Sequence, residues 1–488
     1  MNHQSAFDRF QTRCAPVRWL VAFTLFLAAA ASAIVIDTNT TITLANTNYD
    51  GLDLVISNCV VTMDGQRNFA GLRVTGGGTL THSSVANGNI TINDTVVDEP
   101  QVLVETNAVT LAQSNIYAAS VVVTDETGLV SYTNDLDSLL ESLPDALLSL
   151  RRTETSSIPD GATVLVTYNY IVASGTSGLD ITVSGDVIVD PGSTINVAGA
   201  GYATGIGLGS TAGVPSSGGG GGHGGEGGTS STGAAGGVSY DSVYQPVDKG
   251  GAGGSGSGGQ GGRGGGEIKL TVTGTLDISG IIRADGANGT NSRSGGGAGG
   301  SIWLSAGTLA GAGLISANGG MGEPVHGGGG GGGRVAVYFN TNFYSGGIIA
   351  RGGSGNVAGG AGSIYTRTNG TSSSVVLVEN GGVAGRRTSL TGTPSNTQLR
   401  VLDGAAAFFT GSLNLSSLLV GSNATMLATS NQSLTVTVTG DATIQSGGVL
   451  TGVGAGSSPG LGTGAGGTYN QGNLITSGGG GGHGGFGG

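Results

Sequence analysis

Four segments of this chain share one frame, and that repetition constrains the fold more than any other feature. Gly266-Glu267-Ile268-Lys269-Leu270, Gly300-Ser301-Ile302-Trp303-Leu304, Gly333-Arg334-Val335-Ala336-Val337 and Gly362-Ser363-Ile364-Tyr365-Thr366 begin 34, 33 and 29 residues apart, counted from Glu267, Ser301, Arg334 and Ser363. A Gly-Thr-Leu follows the first two, ending at Leu276 and Leu309. A further strand-like piece comes next, Ile282-Arg283-Ala284 or Ile315-Ser316-Ala317, and then a glycine-rich loop. Alternation puts Ile268 and Leu270 on one face of a strand and Glu267 and Lys269 on the other. One such unit cannot bury its apolar face alone. Stacked units bury a continuous column, which is the logic of a β-solenoid. Ile268, Leu270, Ile302, Leu304, Val335 and Val337 are the residues expected to form that column.

A longer repeat lies above this one. Ile181 to Val189 (ITVSGDVIV) returns as Val436 to Ile444 (VTVTGDATI), 255 residues later, and Gly218 to Gly228 returns as Gly478 to Gly488. The chain stops in mid-motif, which reads as a truncated product or a fragment. The glycine tracts keep a triplet phase, Gly-Gly-x, as in Gly221-Gly222-His223-Gly224-Gly225-Glu226 and Gly296-Gly297-Ala298-Gly299-Gly300. A period of three matches the three residues per turn of a polyproline-II-type helix. Two ridges of such a helix are bare and can approach other backbones, so the tracts are expected to pack in an ordered way.

Residues 34–132 are also strand-rich, with short apolar pieces at Leu52 to Val61, Leu72 to Thr81 and Ile90 to Val97. Asp135 to Arg152 is the one helix candidate, because Leu136, Leu139, Leu140, Leu143 and Leu147 recur at helical spacing. Pro144 would split it. The expected organisation is a signal peptide at 1–33, an N-terminal β-solenoid region at 34–132, a helical connector at 133–157 and glycine-rich solenoid repeats at 158–488. The second long repeat begins near 434. The signal rests on Arg9, Arg13 and Arg18, the apolar run from Trp19 to Ala30 and the cleavage site Ala31-Ser32-Ala33. That run is shorter than the ~20 residues a membrane-spanning helix needs, so no retained span is expected.

Cleavage there leaves 15 basic against 29 acidic residues, a net charge of −14. Such a balance opposes nucleic acid and anionic lipid as partners. Only two lysines occur, Lys249 and Lys269, and Cys59 is the one cysteine after the cleavage site, so an internal disulfide framework is excluded. Glycine supplies 102 of the 488 residues, about three times the usual share.

Catalytic motifs are hinted at and fail. Gly-His-Gly, a feature of polygalacturonase-like enzymes, occurs at His223 and His483, but the closely placed aspartates that acid–base chemistry requires are missing. Residues three apart in a regular tract lie roughly 9 Å apart at ~3.1 Å per residue, so His223 is expected to stand away from any local carboxylate. His326-Gly-Gly-Gly and Gly456-Ser457-Ser458-Pro459-Gly460 match lipase signatures only formally, without the strand–turn–helix context. The glycine tracts lack the aspartates of a calcium-binding β-roll. Asp64, Asp160, Asp285 and Asp403 precede glycines as ordinary turn residues. No catalytic, cofactor-binding or metal-ligating residue is assigned, and no cofactor is expected.

The Gly-Gly-Gly-x-Ile-x-Leu, Gly-Thr-Leu, Ile-x-Ala-x-Gly frame and the Gly-Gly-His-Gly-Gly tracts resemble those of glycine-rich β-helical surface proteins of bacteria, in the style of autotransporter passengers and adhesins. The resemblance covers roughly residues 160–488. It implies an all-β fold, a right-handed parallel β-helix with long glycine-rich loops and one short helical segment. It also implies export and a non-catalytic structural or adhesive role. The partners expected are cell-envelope or extracellular polysaccharide, or another surface protein. The alternative is a secreted carbohydrate-active enzyme, a polysaccharide hydrolase or lyase on the same fold.

Overall fold

The computed structural model describes residues 33–478 apart from 44, 85–93, 115–120, 134–136, 143–146, 171–177, 212–215, 391–395, 410–411, 429–434, 453–467 and 472–473. Every regular element among the described residues is a strand. From Ile34 to Thr81, and again from Leu179 to Ile349, the chain alternates between two parallel sheets. The longer sheet takes Ile34–Ile36, Asp53–Ser57, Gly71–Thr75, Val187–Val189, Glu267–Ile278, Ser301–Ala310, Arg334–Asn342 and Ser363–Thr368 in that order. The second takes Thr40–Ile42, Val60–Met63, Thr79–Thr81, Thr194–Asn196, Ile281–Arg283, Leu314–Ser316 and Gly347–Ile349. One strand from each sheet makes a rung.

The register is the one the alternation demands. Leu179, Ile268, Ile302, Val335 and Ile364 lie above one another, as do Ile181, Leu270, Leu304 and Val337. Ile195, Ile282, Ile315 and Ile348 do the same in the second sheet. All six residues expected in the column are buried without exposed surface. A one-residue slip would turn this whole set outward, so burial fixes the pairing.

The glycine tracts form a further layer. Successive amides from Gly295 to Gly300 donate to Gly254, Gly328, Ala287, Gly251, Gly331 and Ala284, so the same three neighbouring segments recur every third residue. From Gly328 to Gly333 the acceptors are Gly218, Val357, Gly320, Gly221, Gly360 and Ala317, again with a period of three. Three residues per turn is the polyproline-II repeat, and a helix of that kind has no internal hydrogen bonds, so its amides must find other chains. They find each other. The approach is too close for side chains: a Cβ on Gly299 would lie 2.1 Å from the Ala317 carbonyl oxygen.

At Ser363–Thr368 the sheet continues but the core changes sides. The next strand, Ser374–Glu379, runs antiparallel to it, and Tyr365 faces Val376 while Ile364 faces Leu377. Ile364 belongs to the first core. Tyr365 belongs to a second, with Val376, Val378, Leu399, Val401, Leu418, Val420, Phe409 and Met426. Parallel pairing then resumes through Thr397–Leu402, Ser412–Val420, Thr435–Val438 and Ala442–Ile444. A third sheet of Arg387–Ser389, Ala406–Phe409, Thr425–Ala428 and Val449–Thr451 lies across the new core.

Residues 94–170 stand apart from these stacks. They build two antiparallel sheets around Leu103, Leu111, Val123, Leu150, Val164, Val166 and Tyr168. The helical connector expected at 133–157 is not there: Ser138–Ser142 and Leu147–Arg152 are antiparallel strands, joined on the far side by Val109–Ser114. The leucine spacing suits a helix, but Leu148 and Leu150 also sit at strand spacing. A helix would have to carry Pro144 internally at a cost of about 3 kcal/mol. Asp137 fastens the ends of the hairpin instead. Its carboxylate accepts the amides of Ser157 and Thr133 and the Ser157 hydroxyl, which hold it below the usual aspartate range.

Candidate functional site

The excursion from Val197 to Gly266 leaves the second sheet, lays its own glycine segments against those of the rungs and brings His223 inside. The imidazole is fully buried. Its Nδ1 donates to the Gly299 carbonyl at 2.9 Å, and its Nε2 lies 3.1 Å from Oδ2 of Asp241. Tyr240 packs on the ring with centroids 4.7 Å apart. The expectation that His223 stands away from any carboxylate is therefore corrected. Glu226, three residues on, does point elsewhere, to Arg386 and Arg387. The carboxylate that reaches His223 comes from 18 residues on, carried by the fold of the excursion rather than by the tract.

Asp241 joins this excursion to the stack. Its carboxylate accepts the Ser301 hydroxyl at 2.9 Å and the amides of Ser242, Val247 and Asp248. Burial alone would raise its pKa. The hydrogen bond from His223 and the charges of His223 and Arg334 outweigh that and hold it below the usual range. Arg334 is buried too, and donates to the Tyr240 carbonyl and the Ser363 hydroxyl. Desolvation pushes it down to about 10. Histidine, aspartate and serine are thus together, but in an order that does no nucleophilic chemistry. The serine hydroxyl bonds the aspartate, both imidazole nitrogens are engaged, and a nucleophile needs a base within reach of its own proton. The group is an internal polar cross-link.

A second cluster lies on the outer face of the longer sheet. The two lysines of the sequence meet there: Lys249 Nζ is 3.8 Å from Glu267, and Lys269 Nζ is 3.1 Å from Asp180. Lys269 also lies 5.1 Å from the ring centre of Trp303, one strand along. Burial pushes Glu267 up to about 7, against the opposing charge of Lys249. A carboxyl that titrates near neutrality is what a general acid needs. Its neighbour His82 is pushed down to about 4, chiefly by burial. His82 Nε2 accepts the Glu267 amide at 3.1 Å while Nδ1 faces the Ser83 carbonyl.

Nothing known matches this chain: no protein family, no curated protein and no solved structure.

The remaining motif residues are scattered. His326 pairs with Glu323 at 2.9 Å in a surface loop, without a serine. Asp64 accepts from the amide and hydroxyl of Ser83, and Asp285 from Ser316 and Asn318. Asp160 receives Arg152, and Asp403 turns with φ 51°. Among the described residues, no three His, Cys, Asp or Glu side chains gather as a metal site would require, and no helix is long and apolar enough to cross a membrane. His483, Ser458 and the leader at 1–33 lie outside the described residues, apart from Ala33. Asp241, Ser301 and Arg334 were not singled out from the sequence. Glu267 lies two residues before Lys269 in the sequence, but Lys249 is 18 residues away and reaches it only through the fold.

Proposed function

We propose that this chain is a right-handed parallel β-helix of the glycine-rich surface type, exported and working as a non-catalytic structural or adhesive repeat protein. The observation that carries the reading is the period-three hydrogen bonding of the glycine tracts, which makes a stiff layer of backbone and leaves few polar groups for chemistry. Alternation between two parallel sheets supports the β-helix, and a parallel crossover of this kind is right-handed in nearly all proteins. The buried His223–Asp241–Ser301–Arg334 network favours the scaffold, because its polar atoms are bonded to one another and to backbone. The partner this role implies is extracellular or cell-envelope polysaccharide, or another surface protein.

A second reading, a polysaccharide hydrolase or lyase, is favoured by one observation: Glu267 titrates near 7 beside Lys249, Asp180 and Trp303. One experiment separates the two. The full chain is incubated with immobilised neutral and acidic polysaccharides, and retention, reducing ends and unsaturated products are measured. Saturable retention without product is expected. Turnover by the wild type that Glu267→Gln abolishes would replace the scaffold with the enzyme.

A further inference from the structure

The outer face of the longer sheet carries two neighbouring rows of side chains that stay open to solvent. Strand pairing aligns Gln66, Asp180, Lys269 and Trp303 in the first row. In the second it aligns Thr182, Thr271 and Ser305, and then Tyr338. Gln66 and Thr271 are exposed, and the rest are partly exposed. Beyond Trp303 the first row runs on to Ala336 and Tyr365, both buried in the second core. Trp303 and Tyr338 pack against the margin of that core. The Tyr338 hydroxyl donates to the Tyr244 carbonyl at 2.9 Å, so the excursion closes the same end. The rows thus make an open floor that ends on an indole. With strands about 4.8 Å apart, the first row is roughly 14 Å long, the scale of an oligosaccharide rather than a single sugar.

The chemistry of this floor is that of a sugar site. An aromatic ring packs against the C–H face of a pyranose, while hydroxyls and fixed charges around it bond the sugar hydroxyls. Among the described residues, nothing is hydrogen-bonded to the indole N–H of Trp303 or to the hydroxyls of Thr182, Thr271 and Ser305, which leaves them to solvent or a ligand. Lys269 is held between Asp180 at 3.1 Å and the Trp303 ring at 5.1 Å, so its ammonium group is already positioned. Charge narrows the class of sugar. The whole chain carries a net −12, which repels polyanions. Here two lysines meet two carboxyl groups, and burial leaves one of these, Glu267, titrating near 7. The floor has no excess cation to hold an acidic chain and no excess anion to hold a basic one.

We propose that this floor is the binding site for an extended, uncharged polysaccharide, with one sugar ring on Trp303 and the following rings running over Lys269 and Asp180 toward Gln66. The proposal rests on the reading of the chain as a polysaccharide-binding scaffold and gives that reading a place on the molecule. Trp303 supplies the apolar contact. Lys269 donates to sugar hydroxyls, Asp180 accepts from them, and Thr271 and Ser305 do either. A few placed polar groups beside one aromatic surface fix orientation and specificity.

Fluorescence reads the site directly, because the sequence has two tryptophans, Trp19 and Trp303, and Trp19→Phe leaves Trp303 alone. The full chain with that change is titrated with cellohexaose, mannohexaose and the acidic hexagalacturonate, and its retention on immobilised cellulose and mannan is measured alongside. A saturable change in Trp303 emission is expected with a neutral hexaose and none with hexagalacturonate at the same concentration. Trp303→Ala and Thr271→Glu should each weaken retention at least tenfold. Thr271 is exposed, so its variant tests the floor even if Trp303→Ala misfolds. Retention without any change in emission, or undiminished in Thr271→Glu, would overturn the site and leave the polysaccharide reading standing. Absence of both retention and emission change would overturn the two together. An equal response to hexagalacturonate would overturn the uncharged ligand. Product release accompanied by the emission change would support the site and replace the scaffold with the enzyme.

Discussion

The two parallel stacks of this molecule solve one problem at different lengths. In the second, Leu399 pairs with Leu418, 19 residues on, and Ser374 with Thr397, 23 residues on. In the first, Ile268 pairs with Ile302 and Ile302 with Val335, at 34 and 33 residues. Two strands and their corners therefore need about 20 residues, and the surplus in the first stack is glycine tract and return segment. Surplus chain of this kind is usually a mobile loop. Here it is a packed layer, held by amides that meet carbonyls of neighbouring tracts every third residue. The second stack rests on its apolar core and strand pairing, while the first adds a layer whose cohesion is backbone to backbone.

The sharpest break in that comparison comes from charge in either core. Ile302→Asp and Val401→Asp each place a carboxylate among fully buried apolar side chains, a cost on the order of 5 kcal/mol. If the stacks unfold separately, calorimetry will show a different transition lost in each variant. A single transition lowered equally by both would merge the stacks into one cooperative unit.

Asp241→Asn comes next. It leaves Arg334 buried without its counter-charge, with an expected loss of about 4 kcal/mol. The loss should appear in the first stack, because Ser301 and Arg334 belong to its rungs. A melting temperature unchanged within error would remove the cross-link from the account.

The tract layer is tested by single methyl groups. Gly299→Ala puts a Cβ against the Ala317 carbonyl and should cost about 3 kcal/mol. Gly452→Ala, where a Cβ meets nothing within 4 Å, should be neutral. Equal denaturant midpoints for the two variants would mean that the tracts are not close-packed.

The smallest effect is in pH. Glu267 titrates near 7 in the folded chain, above its unfolded value, so its contribution is present in acid and is lost as pH rises from about 4.5 to 7. His82 titrates near 4, below its unfolded value, so its contribution is present above about 6.5 and is lost as pH falls toward 4. The two slopes oppose each other over the same interval, and wild-type stability should be nearly flat there. Glu267→Gln should unmask the histidine slope, a loss of about 2 kcal/mol between pH 6.5 and 4. Urea midpoints across that range measure it, and a flat profile in the variant would contradict the opposition.

What could be read beforehand follows the same divide. The first stack was legible because apolar and polar residues alternate strictly at Ile268, Leu270, Ile302 and Leu304, and because the tracts keep their triplet phase. The second core was not, since Ile364 and Tyr365 face opposite sides and both are apolar. A strand buried on both faces loses alternation and reads as a continuous run, as Val375 to Val378 does. The leucines from Leu136 to Leu150 fit both periods, and a neighbouring strand decided between them. The link from His223 to Asp241 had no local signal, because the two meet only after the chain has wrapped around an intervening glycine segment.

The antiparallel region at 94–170 enters and leaves side by side, with Asp94 opposite Tyr170. The parallel sheets do not depend on it: Gly65–Phe69 pairs directly with Leu179–Val183, and Thr79–Thr81 with Thr194–Asn196. Domain insertions are tolerated where the two ends of the inserted unit lie close together. Adjacent ends are the geometry that lets such a region be shortened, enlarged or replaced by another domain while the register of the rungs around it stays the same.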